Sequence, residues 1–256
     1  MNQDTRALRR ASLIAGLALA LMAALAAFGN FVAIQPLVTP GDAAKTAIDI
    51  SNSEALFRWG IASLILIAVL DIIVAAALLR LFEPVNRSVS ITAAWFRLAY
   101  VAVYLVAVIQ LVVAVGLLGE PDQALRAIDA YNTIWLVGLI LFGVHLLLIG
   151  YLAYQSGFMA KVFAILLVIA GLGYIADGFV AVLVRGPSIS IGQFTFVGEV
   201  ALIFWLLIKG TRKDFSDADT DQGHHFDPDS RWLADHQSTS SVVGGEILTT
   251  SRKDPT

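Results

Sequence analysis

The chain contains no cysteine, which excludes a disulfide framework and thiolate metal sites. It is also poor in charge: only 14% of its 256 residues are Asp, Glu, Lys or Arg, too few to cover a soluble domain of this size. No Walker loop, Gly-rich dinucleotide turn, HExxH pair or nucleophile elbow occurs, so the nucleotide, metalloprotease and hydrolase chemistries those motifs carry have no sequence support. Gly171-Leu172-Gly173 lies within an apolar run, where close helix packing explains it. What is present is apolar. The hydrophobic fraction is 58% and the mean hydropathy +0.78, values of an integral membrane protein.

About 20 apolar residues at 1.5 Å each cross a hydrocarbon core of roughly 30 Å. Six runs divide the chain on this scale, at 11–34, 54–82, 91–118, 131–154, 162–184 and 194–208, and they predict an all-α, six-transmembrane-helix bundle. The first run follows Arg6, Arg9 and Arg10 and is longer than the 7 to 15 residues of a signal-peptide core, so it is read as a retained span. Between the first two runs, Thr39-Pro40-Gly41-Asp42 predicts a short external helix over 40–50, with Thr39 as N-cap and Pro40 at N1. Ser51-Asn52-Ser53-Glu54 reads as a capping box opening span 2, with Glu54 and Arg58 an acid-first pair four residues apart. Pro84 ends span 2, and a separate polar helix is expected over 122–130, before span 4.

Lysine and arginine set the orientation. Arg6, Arg9, Arg10, Arg80, Arg87, Arg97, Lys161, Lys209, Arg212 and Lys213 fall on one side, against Lys45, Arg58, Arg126 and Arg185 on the other, which predicts a multi-pass protein of the cell membrane with both termini on the cytoplasmic side. Residues 1–213 carry 14 Lys/Arg against 11 Asp/Glu, whereas 214–256 carry 3 against 9. The tail is therefore a different material, and its low apolar content predicts a disordered acidic cytoplasmic segment. His224, His225 and His236 with Asp227 and Asp229 belong to that solvated tail, and neither a metal nor a cofactor is expected.

Polar groups inside the spans are the candidate site. Between Trp59 and Leu79 the one ionisable residue is Asp71, and His145 is the one histidine in any span. Counted at 1.5 Å per residue, Asp71, Arg97 and His145 fall about 17 to 24 Å from the external surface, an inner cluster of acid, base and imidazole. Asp177 and Glu199 fall at about 7 to 12 Å and, with Arg58 nearby, make an outer cluster. Asp177 stands on a row of small residues, Ala170, Gly173 and Ala181, spaced for close helix contact. An ionisable group at the bilayer centre costs about 2.5 to 3.5 kcal/mol on insertion scales and so usually marks a cavity or relay. Neutralised pairs that only fix helix packing are the competing explanation.

Seven segments in order resemble an uncharacterised bacterial integral-membrane family filed as domain of unknown function 4386, over about residues 8 to 210. They are Pro40-Gly41-Asp42-Ala43-Ala44; Leu56-Phe57-Arg58 followed by Asp71; Pro84-Val85-Asn86-Arg87; Phe96-Arg97-Leu98; Gly143-Val144-His145 through Leu152; Ser156-Gly157-Phe158; and Ala170-Gly171-Leu172-Gly173 through Asp177. The resemblance implies a helical membrane protein with its first span retained and transfers no catalytic residue. The chain departs from the family pattern at Met159-Ala160-Lys161 and in its acidic tail.

Three functions are compatible with these residues. The first is binding or relay of a proton or small polar solute through Asp71, Arg97 and His145. The second is a non-catalytic structural or assembly role in which the buried charges fix packing. The third is a membrane-embedded enzyme acting on a lipid or quinone with His145 as base, a reading weakened by the lack of any nucleophile or metal constellation. The expected partners are the lipid bilayer and a second copy of the chain in a homo-oligomer; no nucleic acid is expected, and the sequence names no small-molecule ligand.

Overall fold

The computed structural model describes residues 3–184 and 202–208, and all regular structure among them is helical. The helices are α1 (Gln3–Ala27), α2 (Ala43–Asn52), α3 (Glu54–Phe82), α4 (Arg87–Gly116), α5 (Pro121–Gln155) and α6 (Lys161–Leu183), followed by a helical segment at 202–208. Among the described residues, five spans are long and apolar enough to cross a membrane: Ala7–Leu37, Glu54–Phe82, Arg87–Gly116, Pro121–Gln155 and Lys161–Leu183. Most of the expected sixth run, 194–208, lies outside the described residues, as do Glu199 and the tail 214–256.

Each long helix buries one face and leaves an equally apolar face open. On α3, Leu64, Ala68, Asp71, Val74, Ala75 and Leu78 are buried while Ile65, Leu66, Val69, Ile72 and Ile73 are exposed. An outward face of that composition suits acyl chains, since water would expel it. Neighbours in sequence are neighbours in space: α1 packs on α3, α3 on α4, α4 on α5 and α5 on α6. The 202–208 segment returns to α1, where the buried Ser12 hydroxyl donates to the Leu206 carbonyl at 2.9 Å. An aromatic stack, Phe82 on Phe158 on Trp205, joins the end of α3 to the α5–α6 turn and to that segment.

Local chemistry departs from the sequence reading at several helix ends. Helix α2 begins at Ala43, capped by Asp42, whose carboxylate accepts from the Lys45 amide at 2.9 Å; Thr39 is not the cap. Thr39 is held outside the helix because Thr46 Oγ1 accepts from its amide at 3.0 Å and donates to its carbonyl at 3.2 Å. Pro40 and Gly41 make the turn, Gly41 with φ of 77°. The capping box at span 2 is not formed either. Helix α2 continues through Ser51, whose hydroxyl donates back to the Ala47 carbonyl at 2.7 Å, and the N-cap of α3 is Ser53.

The separate polar helix expected at 122–130 is instead the first part of α5, one helix of 35 residues. Nothing in the sequence between Pro121 and Gln155 breaks it, and Ala124, Ala127, Ile128 and Tyr131 form a buried stripe in the part of α5 that meets α2. Conversely, the first span does not end as a regular helix. Phe28–Ile34 widens into a π-helical turn and Gln35–Leu37 tightens into a 3₁₀ turn. Gly29 in the widened turn lies so close to α3 that a Cβ there would stand 2.5 Å from Ser63 Oγ.

Helices α5 and α6 make the other close approach. A Cβ on Gly143 would stand 2.6 Å from the Gly171 carbonyl, and one on Gly171 2.7 Å from the Gly143 carbonyl. With no hydrophobic drive between helices in lipid, such backbone contact is a main source of association. Gly143→Val is therefore expected to part the two helices, with a fall in the thermal midpoint in detergent equivalent to about 1 to 3 kcal/mol. Gly116→Ala, where nothing lies within 4 Å, is the control; equal midpoints for both variants would remove the glycine contact as a determinant of stability.

Candidate functional site

Helices α3, α4 and α5 bring Asp71, Arg97 and His145 together in the middle of the bundle, each only 1 to 2% exposed. Asp71 and Arg97 sit on adjacent antiparallel helices, each about midway along or one third into its span, so one guanidinium reaches across the contact. Arg97 Nε donates to Asp71 Oδ1 at 2.7 Å, and Nη2 closes an ion pair on the same oxygen. The third nitrogen, Nη1, lies 3.0 Å from His145 Nε2. The other ring nitrogen of His145, Nδ1, lies 2.8 Å from the backbone carbonyl of Ala93, one turn before Arg97 on α4.

This chain of contacts assigns the imidazole. A backbone carbonyl only accepts and a guanidinium only donates, so His145 must carry its proton on Nδ1 and present a bare Nε2 to Arg97. Donation thus diverges from Arg97, through Nε–H to Asp71 on one side and through Nη1–H to His145 on the other, whose Nδ1–H donates in turn to the Ala93 carbonyl. A second proton on His145 would set two donors face to face and force Arg97 away. Among the described residues, no buried side-chain nitrogen or oxygen lacks a hydrogen-bond partner.

An aromatic shell surrounds the cluster, and sequence reasoning did not single it out. The Phe142 ring lies 5.3 Å from the Arg97 guanidinium carbon, stacks on His145 at 5.8 Å, and meets Tyr100 at 4.9 Å and Tyr174 at 5.8 Å. Such a ring face stabilises a desolvated cation electrostatically. The available signal was the spacing: Phe142 stands three before His145 on one helix face, and Tyr100 three after Arg97. Tyr100 stacks on Tyr104, and its hydroxyl accepts from Trp135 Nε1 at 3.3 Å.

Of the outer cluster, Arg58 and Asp177 are among the described residues. Arg58 bonds Glu54 one turn earlier, through Nε at 2.7 Å, and lines a groove between α3 and α4. Asp177 is buried on α6, and Glu199 lies outside the described residues. Two of the surface depressions among the described residues are one of about 310 Å³ where α2 meets Leu118 and Pro121, and the α3–α4 groove of about 130 Å³. Neither includes Asp71, Arg97 or His145. Among the described residues no group of three His, Cys, Asp or Glu stands close enough to hold a metal.

A family model described as a domain of unknown function, DUF4386, matches residues 14–210. An uncharacterised protein of Archaeoglobus fulgidus is 36% identical over 154 residues, covering 60% of this chain and 85% of its own length. That relative is archaeal, so the likeness extends beyond bacteria. No solved structure matches the chain.

The fork of Arg97 is the testable element of this geometry. Arg97→Lys keeps the charge but presents a single ammonium, which cannot span Asp71 and His145 as the planar guanidinium does. The expected outcome is a loss of thermal stability equivalent to about 2 kcal/mol, the cost of leaving one buried partner unmatched. A lysine variant as stable as the parent would show that the fork is not used.

Proposed function

The chain belongs to the DUF4386 family, and on that footing we propose a non-catalytic structural or assembly role in the membrane, with Asp71, Arg97 and His145 as a clamp that fixes three spans against one another. The observation supporting this is the closure of the triad on itself: all three guanidinium nitrogens of Arg97 meet Asp71 or His145, and the second ring nitrogen of His145 meets the Ala93 carbonyl. A relay of protons or a small polar solute requires an opening at the triad and a free Nε2 on His145. In the observed arrangement Arg97 covers that nitrogen. Enzymatic use of His145 as a base on a lipid or quinone meets the same obstacle, because a base must reach the proton it removes.

The same proposal places six spans in the cell membrane with both termini inside and α2 outside, on the distribution of Lys and Arg. It treats 1–213 as the membrane domain and 214–256 as a disordered cytoplasmic tail, on composition. A second copy of the chain remains a partner of this reading, through the open apolar faces of the spans.

Clamp and relay differ in what happens when charge is removed. Asp71→Leu alone leaves a buried, unmatched guanidinium and is expected to cost about 3 to 5 kcal/mol, whereas the pair Asp71→Leu with Arg97→Met is expected to recover more than half of that loss. In reconstituted vesicles, pH-driven flux is expected to be the same for the parent, Asp71→Asn and His145→Gln. Flux in the parent that disappears in both folded variants would overturn the clamp and restore the relay.

A further inference from the structure

Helix α3 has a second face of chemical interest, on its lipid side. Arg58, Ile61, Ala62 and Ile65 of α3 and Val112 and Val115 of α4 line a groove of about 130 Å³. Ala62 stands four after Arg58, so the smallest side chain lies directly beneath the cation, and branched residues form the walls. The result is a short apolar groove with a positive charge at one end.

The depth of that mouth is set by two other residues. Trp59, adjacent to Arg58, is 69% exposed, as is usual for a tryptophan at a membrane interface. Arg80, exposed near the opposite end of α3, lies about 31 Å along the helix from Trp59, which matches a hydrocarbon core of roughly 30 Å. Arg58 is therefore at headgroup level, with Ile61, Ala62 and Ile65 at the level of acyl chains.

Arg58 also has a fixed companion. Its Nε donates to Glu54 Oε1 at 2.7 Å, and its side chain remains 59% exposed. Glu54 lies one turn, about 6 Å, farther from the membrane centre. The mouth of the groove thus presents a cation at the deeper level and an anion at the shallower one. A phospholipid with a zwitterionic ammonium headgroup has the complementary order, phosphate deeper and ammonium shallower. Guanidinium groups recognise phosphate oxygens through paired N–H donors, and Lys-like ammonium groups pair with carboxylates by the same charge-assisted bonding.

We propose that the α3–α4 groove is a binding site for one phosphatidylethanolamine of the leaflet on the α2 side, its phosphate on Arg58, its ammonium on Glu54 and one acyl chain along Ile61, Ala62, Ile65 and Val112. An anionic headgroup without an ammonium satisfies Arg58 but sets its negative charge beside Glu54. The site requires the bundle to sit in a bilayer and is independent of whether the Asp71–Arg97–His145 cluster is a clamp or a relay.

The experiment is native mass spectrometry of the full chain released from detergent after incubation with equal amounts of phosphatidylethanolamine and phosphatidylglycerol of identical acyl chains. The parent is expected to retain one lipid, with phosphatidylethanolamine favoured at least about threefold, a preference of under 1 kcal/mol. Arg58→Gln is expected to lower retention of both lipids about tenfold, and Glu54→Gln to keep retention but abolish the preference. Arg58 is exposed and Glu54 half-buried at the first turn of α3, and the pair they form is a surface one, so neither change threatens the fold. Ala62→Phe fills the groove beneath an intact headgroup pair and is expected to lower retention as Arg58→Gln does. Arg80→Gln, at the other end of α3, is expected to behave as the parent. Retention in Arg58→Gln equal to the parent, an unchanged preference in Glu54→Gln, or an equal loss in Arg80→Gln would each overturn the site, the last by showing adsorption all around the headgroup belt.

Discussion

The bundle depends on one requirement, that a charge buried between its helices be matched within the protein. Arg97 meets it with three nitrogens, two directed at Asp71 and one at His145. Because the partners sit on α3 and α5, flanking α4, the guanidinium fixes the register of three helices at once. Sliding α4 by one residue past either neighbour, about 1.5 Å, breaks a bond that no water is there to replace. The His145 bond to the Ala93 carbonyl tightens this further, since it ties α5 to the α4 backbone itself. Phe142 then closes the cation from the remaining direction.

Around that clamp, association proceeds by shape. Lipid offers no hydrophobic drive between helices, so the contacts of the widened end of the first span with α3, and of α5 with α6, rely on backbones that approach where glycine removes the side chain. Gly29 and Gly60 serve the first pair, Gly143 and Gly171 the second. The π-helical turn at Phe28–Ile34 belongs to the same arrangement: it lies where α1 presses on Gly60 and Ser63, and the extra residue per turn rotates Ala33 and Ile34 onto α3. Polar specificity at the centre and glycine contacts at the flanks are thus two separate means to one packing.

The apolar runs made five spans and the triad legible before any coordinates, because hydrophobic length and helical rise are properties of the chain alone. Depth counting placed Asp71, Arg97 and His145 together for the same reason, each being a fixed number of 1.5 Å steps from a span end. What escaped the sequence was decided by contacts distant in the chain. Thr39 has the right chemistry for an N-cap, yet Thr46 holds its backbone in a loop and Asp42 caps instead. Ser51 has it too, but α2 runs through it, so its hydroxyl turns back to Ala47. The polar start of α5 reads as a separate element until α2 is seen packed against it. Phe142 had only its spacing, three before His145, to mark it out until a cation was placed over its ring.

Helix α3 carries both chemically distinctive features of the molecule, on opposite faces and at different depths. Asp71 faces inward near the middle of the helix, whereas Arg58 faces outward at one end. The contrast follows from solvent. A charge that cannot reach water or headgroups must be matched within the protein, and its partners become part of the fold. A charge at headgroup depth already has water and one carboxylate available, so its remaining donors are open to exchange. By that reasoning the buried triad is where this protein is held still, and its exchangeable chemistry belongs at the membrane surface, at the mouth of the α3–α4 groove.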